Sequence, residues 1–340
     1  MGNPPRSGRL LAATLVLVAA ASACGRAAVD DGLTGNIVIS GSSTVEPISI
    51  GVAERFYDVA PNVNIAIDGP GTGDGFELFC RGDIDISNAS RAISQPEIAA
   101  CEQAGITYLE LKVANDGIAV LTSPRNERTS DCLSFSDIYA LVGPESQGFN
   151  NWSAANSLAQ QLGNNKAAPF PNAPLAVTGP GEESGTYDSF IELVIEDLAE
   201  ARGHEAQSRP DYQASGDDNV IVQGIQGSDT SFGWVGYAFY DASRDRLKAF
   251  RVAGEDGACV APTPETIADN SYPISRPLFI YVNLERLEAN PALQEFVALY
   301  VSDDGLATAT EAGYVELNDE EARATAEAFE ARAGTGSADE

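Results

Sequence analysis

Short β-branched runs alternate along this chain with stretches whose apolar residues recur every three or four positions. Residues 36–40 (Asn-Ile-Val-Ile-Ser) read as a buried strand, and 48–59 as an amphipathic helix. The same alternation continues with a strand at 62–67, a helix reaching residue 78, and a short strand at 84–87. A helix at 95–103 and a strand at 107–113 follow. A second unit opens near residue 116, with strands at 117–121, 175–178 and 232–236 and helices at 134–141, 186–198 and 219–225. Between them, 147–174 and 201–216 are polar and read as loops. The apolar segment 271–282 reads as a strand and 291–300 as a helix, both returning to the first unit. Strands alternating with helices predict an α/β chain with a largely parallel sheet. Ligands of such sheets collect beyond the carboxyl ends of the strands.

Both ends of the chain fall outside this pattern. Arg6 and Arg9 precede an apolar run over 10–21, which is too short to span a membrane. The run closes on Ala21-Ser22-Ala23-Cys24-Gly25, which resembles a bacterial lipoprotein signal with Cys24 as the lipidated residue. Ala21 replaces the leucine common three positions before that cysteine. Residues 1–24 are therefore expected to be a signal peptide, 25–33 a linker and 334–340 a disordered tail. Export follows with or without the lipid.

Export changes the meaning of the remaining cysteines. Cys80, Cys101, Cys132 and Cys259 form an even set in an oxidising compartment, so two disulfides are expected. Three pairings are possible. Cys80 and Cys101 lie close around one predicted strand, which favours Cys80–Cys101 with Cys132–Cys259. No cysteine pair has metal-ligand spacing and His204 is the single histidine, so neither metal nor cofactor is expected.

Charge narrows the partners. The formal net charge is −30, and Lys112, Lys166 and Lys248 are the only lysines. That excludes nucleic acid and anionic membrane surfaces as partners. It does not exclude a small anion in a cleft, because charges beyond about 10 Å are screened at ordinary salt.

The candidate chemistry sits at three strand-to-helix turns: Gly41-Ser42-Ser43-Thr44-Val45, Gly71-Thr72-Gly73-Asp74-Gly75 and Ser184-Gly185-Thr186. A helix start offers free backbone N–H groups and partial positive charge, and hydroxyls add donors. Arg91, in Asn88-Ala89-Ser90-Arg91, could add a full charge; a structural salt bridge is the plainer use for it.

These turns resemble, in this order, those of the phosphate-binding lipoproteins of bacterial phosphate ABC importers. The resemblance is carried by Ser40-Gly-Ser-Ser-Thr-Val-Glu-Pro47, Gly71-Thr-Gly-Asp-Gly-Phe76 with Cys80, and Asp83-Ile-Asp-Ile-Ser-Asn-Ala-Ser-Arg-Ala92. It continues through Val113-Ala-Asn-Asp-Gly117, Gly179-Pro-Gly-Glu-Glu-Ser-Gly-Thr-Tyr187, Asp217-Asp-Asn-Val-Ile-Val-Gln-Gly224 and Ser275-Arg-Pro-Leu278. No single motif is specific, but seven in register across residues 34 to 315 are.

The resemblance implies a two-lobed periplasmic-binding-protein fold, each lobe a central sheet flanked by helices, with the ligand between them. Lobe I would comprise 34–114 and 268–333, and lobe II 115–267. Carried over by position, the phosphate ligands are Ser43, Thr44 and the Val45 amide, Thr72 with the Gly73 amide, Ser90, Arg91, and Ser184, Gly185 and Thr186. One branch of the family binds phosphate through an arginine just before Ser-Gly-Thr and has aspartate at the position of Arg91. In this chain Pro180 and Gly181 fill that stretch, so the positive charge would come from Arg91 instead.

Phosphate carries a proton near neutral pH where sulfate has none, so a carboxylate facing the ligand would reject sulfate by repulsion. Glu183, Glu182 and Asp74 are the candidates, in that order. The expected function is a monomeric receptor, without enzymatic activity, that delivers inorganic phosphate to the membrane subunits of an ABC importer. It would sit on the outer face of the cytoplasmic membrane, or in the periplasm, and touch the membrane through its lipid alone. The alternatives are a receptor for another oxyanion, sulfate or molybdate, and an exported phosphate-ester hydrolase. The hydrolase is disfavoured because His204 stands in a polar stretch with no catalytic pattern beside it.

Overall fold

The computed structural model of the chain describes residues 1–2, 32–182 and 184–333. The signal cleavage region with Cys24, the linker up to residue 31, the tail 334–340 and Glu183 lie outside the described residues.

The strands are β1 (Gly35–Gly41), β2 (Val63–Asp68), β3 (Ile86–Ala89), β4 (Tyr108–Thr122), β5 (Cys132–Leu133), β6 (Val177–Gly179), β7 (Gln213–Ala214), β8 (Phe232–Gly236), β9 (Lys248–Ala249), β10 (Arg251–Ala253), β11 (Cys259–Val260) and β12 (Ser275–Asn283). Nine of them form one sheet in the order β2-β1-β3-β12-β4-β8-β6-β7, with β9 also pairing β4. β1 is parallel to both β2 and β3, and β6 is parallel to β8 and β7. β12 runs antiparallel between β3 and β4. The chain is thus α/β, as the alternation predicts, but its sheet is mixed rather than largely parallel, because β12 and β8 run antiparallel to β4 and β12 to β3.

Each half of the sheet carries its own core. Beside β1, β2 and β3, the helix Glu46–Val59 buries Ile48, Val52 and Phe56, four residues apart and so on one face. Phe56 meets Phe296 of the helix Pro291–Tyr300 edge to face at 5.4 Å. In the other half Trp152, Phe190 and Trp234 are fully buried, and Phe190 stacks on Trp234 at 4.4 Å. Trp234 and Tyr237 therefore wall the core. A small sheet of β11, β10 and β5 closes this half, and the Cys132–Cys259 disulfide joins its outer strands. The second disulfide is Cys80–Cys101. Both are the favoured pairings.

Several elements differ from the sequence reading, among them the helix Asn156–Leu162 inside the expected loop 147–174. The strands expected at 107–113 and 117–121 are one strand of 15 residues, β4, because Asn115, Asp116 and Gly117 pair with β12. The helix expected at 186–198 is Gly185–Phe190, a π-turn at Ile191–Ile195, and Glu196–Ala201. The C-terminal helix Asp319–Ala333 has no counterpart among the expected elements. Asn318 caps it, accepting from the Glu320 and Glu321 amides at 3.0 Å each, and its three leading acids suit the positive end of a helix.

Candidate functional site

β1 ends on Gly41, whose φ of +136° is open to glycine; a Cβ there would lie 2.2 Å from the Asn88 carbonyl oxygen. This close approach lets the Ser42 amide donate to Asn88 and the Gly71 amide donate to Gly41, each at 2.9 Å. The ends of β1 and β3 and the turn after β2 are thereby fastened together. Gly75, in the helix Thr72–Cys80, packs on the same point: a Cβ on it would sit 2.5 Å from the Gly41 Cα. Two helix starts are pressed against one strand end.

The hydroxyls follow. Thr72 Oγ1 lies 3.0 Å from Ser90 Oγ and accepts from the Ser90 amide at 3.2 Å. No side chain caps the helix at Gly71, so its first amides, including that of Gly73, have no intrahelical acceptor.

The third turn comes from the other half of the molecule. Ser184 caps the helix Gly185–Phe190 by accepting from the Thr186 amide at 3.2 Å. A Cβ on Gly185 would lie 3.5 Å from the Ser43 carbonyl, the Thr44 Cα and the Tyr314 hydroxyl, so this turn rests directly on the first. Ser43 donates to Asp188 at 2.8 Å, and Thr44 Oγ1 is 3.1 Å from Ser189 Oγ. The structure thus brings Ser43, Thr44, Ser184, Gly185 and Thr186 into one cluster, with Thr72, Gly73 and Ser90 alongside.

Two expected ligands are used otherwise. The Val45 amide donates to the Ser42 carbonyl at 3.1 Å, and the Val45 side chain is buried in the core. That N–H closes a turn. Arg91 is held by Glu97 through two bonds of 2.9 and 2.8 Å and lies 5.5 Å over the Phe76 ring. Burial alone would raise the Glu97 pKa, yet Arg91 and Ser94 together bring it below the ordinary range. Arg91 therefore follows Ser90 at the site's edge as half of a bidentate ion pair.

The buried cation at the cluster is Arg276, which sequence places in the Ser275-Arg-Pro-Leu278 motif without marking it as a ligand. Its side chain is 7% exposed, and its Nη2 donates to Ser189 Oγ at 2.7 Å and Thr44 Oγ1 at 3.2 Å. Nη1 donates to Glu192 at 2.5 Å. Its cross-strand partner Asp116 is buried, with Oδ2 3.5 Å from Arg276 Nε, and that oxygen accepts no hydrogen bond. Burial pushes the Asp116 carboxyl above its ordinary pKa, against the pull of Arg276, Ser189 and the Gly117 amide. Burial likewise raises the Tyr314 hydroxyl, with Asp116 adding to the shift.

Of the expected proton acceptors, Glu182 and Asp74 are exposed, and Glu183 lies outside the described residues. One signal could have found Arg276, the single charge in the apolar segment 271–282; Asp116, in Asn115-Asp116-Gly117, carries no such signal.

A two-sided cradle of hydroxyls and helix starts, on a sheet whose halves meet at two long strands, defines a binding protein of the periplasmic type. Residues 21–304 match the model of the PBP superfamily domain, and the chain belongs to that family. It is 35% identical over 283 residues to Protein SphX of Synechococcus elongatus, covering 83% of this chain and 77% of the relative. It is 33% identical over 307 residues to the phosphate-binding protein PstS of Staphylococcus aureus (strain USA300), covering 90% and 85%. Among solved structures, a possible phosphate binding protein from Planctomyces limnophilus superposes with a TM-score of 0.79 at 32% identity. That match covers 88% of this chain and 99% of the other.

Proposed function

We propose that this chain is an extracytoplasmic receptor that captures inorganic phosphate between two lobes and delivers it to the membrane subunits of an ABC importer. The observation that carries the reading is the convergence of the Ser43–Thr44 and Ser184–Gly185–Thr186 turns, from opposite halves of the sheet, on one point. The names of the relatives at 33% and 32% identity support phosphate as the anion.

The lobes are 34–114 with 268–333, and 115–267, hinged where β4 and β12 pass between them. Ser43, Thr44, Thr72, the Gly73 amide, Ser90, Ser184, Gly185 and Thr186 surround the anion, with Arg91 at the rim. Closing the lobes on the anion couples affinity to conformation, the property an importer reads. No helix among the described residues is long and apolar enough to cross a membrane. Cys24 carries the lipid that keeps the receptor, as a monomer, at the outer face of the membrane. The protein binds and does not turn over: the single histidine, His204, lies beside Glu145 and not beside these hydroxyls.

Isothermal titration of the purified chain with phosphate, arsenate, sulfate and molybdate tests this, alongside turnover of a chromogenic phosphate ester. Saturable binding of phosphate and arsenate is expected, with sulfate and molybdate at least a hundredfold weaker and the ester untouched. Equal binding of sulfate would sink the phosphate assignment, and release of the chromophore would sink the receptor reading.

A further inference from the structure

β4 and β12 are the two strands that both halves of the sheet share, and Asp116, near the middle of β4, faces Arg276, at the start of β12, in register. Arg276 is joined by that pairing to the hinge and by its fork to both sides. Its Nη2 reaches Thr44 on one side and Ser189 on the other, and its Nη1 reaches Glu192. Both members of the central pair are out of solvent: the Arg276 and Asp116 side chains are 7% and 3% exposed.

Guanidinium has donors and no acceptor, whereas a hydroxyl has one proton and two lone pairs. A hydroxyl that accepts from Arg276 must therefore give its own proton elsewhere. Ser189 Oγ and Thr44 Oγ1 lie 3.1 Å apart, and either can give its proton to the other. With Ser189 as the donor, both Thr44 lone pairs are taken, one by Ser189 and one by Arg276, and Thr44 is left as a pure donor. A threonine fixed as a donor is what an oxyanion without a free proton needs, whereas a freely rotating one would also turn a lone pair toward it.

On the reading of the chain as a phosphate receptor, we propose that Arg276 is a positioning residue that acts through Thr44. It holds the Thr44 and Ser189 lone pairs so that Thr44 presents its proton to the anion, and it can hold both only when the lobes are together. Arg276 thus couples anion capture to closure from behind the site, with Asp116 as its counter-charge. Lysine cannot replace it, because one ammonium cannot span Thr44, Ser189 and Glu192 in a fixed plane.

Removing Arg276 alone would strand a buried carboxylate, so the test uses the near-isosteric pair Arg276→Gln with Asp116→Asn, its fold checked by thermal melting. Phosphate affinity is measured for the wild type, this pair, Thr44→Val, and the three substitutions combined. The pair is expected to weaken binding at least tenfold in the wild-type background and less than threefold where Thr44 is already valine. Arg276→Lys is expected to leave the loss unrestored. Small-angle scattering should show the wild type contracting on phosphate and the pair binding without full contraction.

An equal fold-loss in both backgrounds, or rescue by lysine, overturns the positioning role while leaving the receptor reading intact. Undiminished contraction in the pair also overturns it. A wild type that does not bind phosphate removes the receptor reading, and this proposal with it.

Discussion

At the scale of single residues, the site is built more by glycines than by its hydroxyls. Gly75 is the clearest case, since any side chain there would drive the helix start at Thr72 away from Gly41. Gly75→Ala is expected to lower phosphate affinity more than tenfold while shifting the melting temperature by only a few degrees. A titration that finds wild-type affinity would show that the two turns need not touch. The hydroxyl positions were legible because Ser, Thr and Gly have few reasons to cluster at a strand end other than capping and anion contact. What sequence could not show is direction. Arg91 follows Ser90 in the chain yet turns to Glu97, six residues on, while Arg276 arrives from 186 residues beyond Ser90. Such choices are settled by which partner lies within 3 Å, and only the packed chain decides that.

At the scale of elements, periodicity revealed nearly every strand and helix of the first half. The failure at β4 has a physical cause: Asn115-Asp116-Gly117 has the composition of a turn. Its backbone is instead satisfied by β12 on one side and, at Asn115, by Val315 on the other. The C-terminal helix escapes the pattern because its apolar face is weak; Lys112 and Thr325 hold it through a 2.5 Å ion pair with Glu321 and a 2.8 Å bond to the Lys112 carbonyl. The disulfides also act at this scale. Cys132–Cys259 closes 127 residues and ties β5 to β11, which are otherwise connected through two residue pairs each with β10. Cys80–Cys101 closes 21. Chain entropy gives the longer loop about 5 kcal/mol and the shorter about 3. Replacing Cys132 and Cys259 by alanine is therefore expected to cost about 2–5 kcal/mol and more than replacing the other pair. Denaturant melts of the two double variants check the order.

At the scale of the whole molecule, stability should depend on pH in two opposed ways. The Glu145 carboxyl is held low by Arg202 and that of Asp211 by Arg209. With Glu97 they stabilise the fold above about pH 4.5, and that stabilisation is lost as pH falls through their depressed values. Asp218 runs the other way. Burial, helped by Asp217, raises it to about 6, so its contribution is complete below about pH 4 and lost as pH rises through 6. Asp218→Asn should therefore raise the melting temperature at pH 7.5 by about 1–2 °C, about 1 kcal/mol after solvent screening. The gain should vanish near pH 4. Scanning calorimetry of both proteins across this range decides it, and a gain that persists at pH 4 would mean the carboxyl is not the cause.

The placement of β12 between β3 and β4 reaches further, to the order in which the chain can be finished. A polypeptide emerging from its N-terminus presents β1, β2, β3 and β4 long before β12, so the first half of the sheet stays open through more than 150 residues of synthesis. Until residue 275 arrives, β3 and the facing part of β4 carry unpaired edges, the kind that recruit strands from other chains. The second half, contiguous in sequence, can close earlier. For a chain exported as proposed that order matters, because the last strand to cross the membrane is also the one that seals the first half.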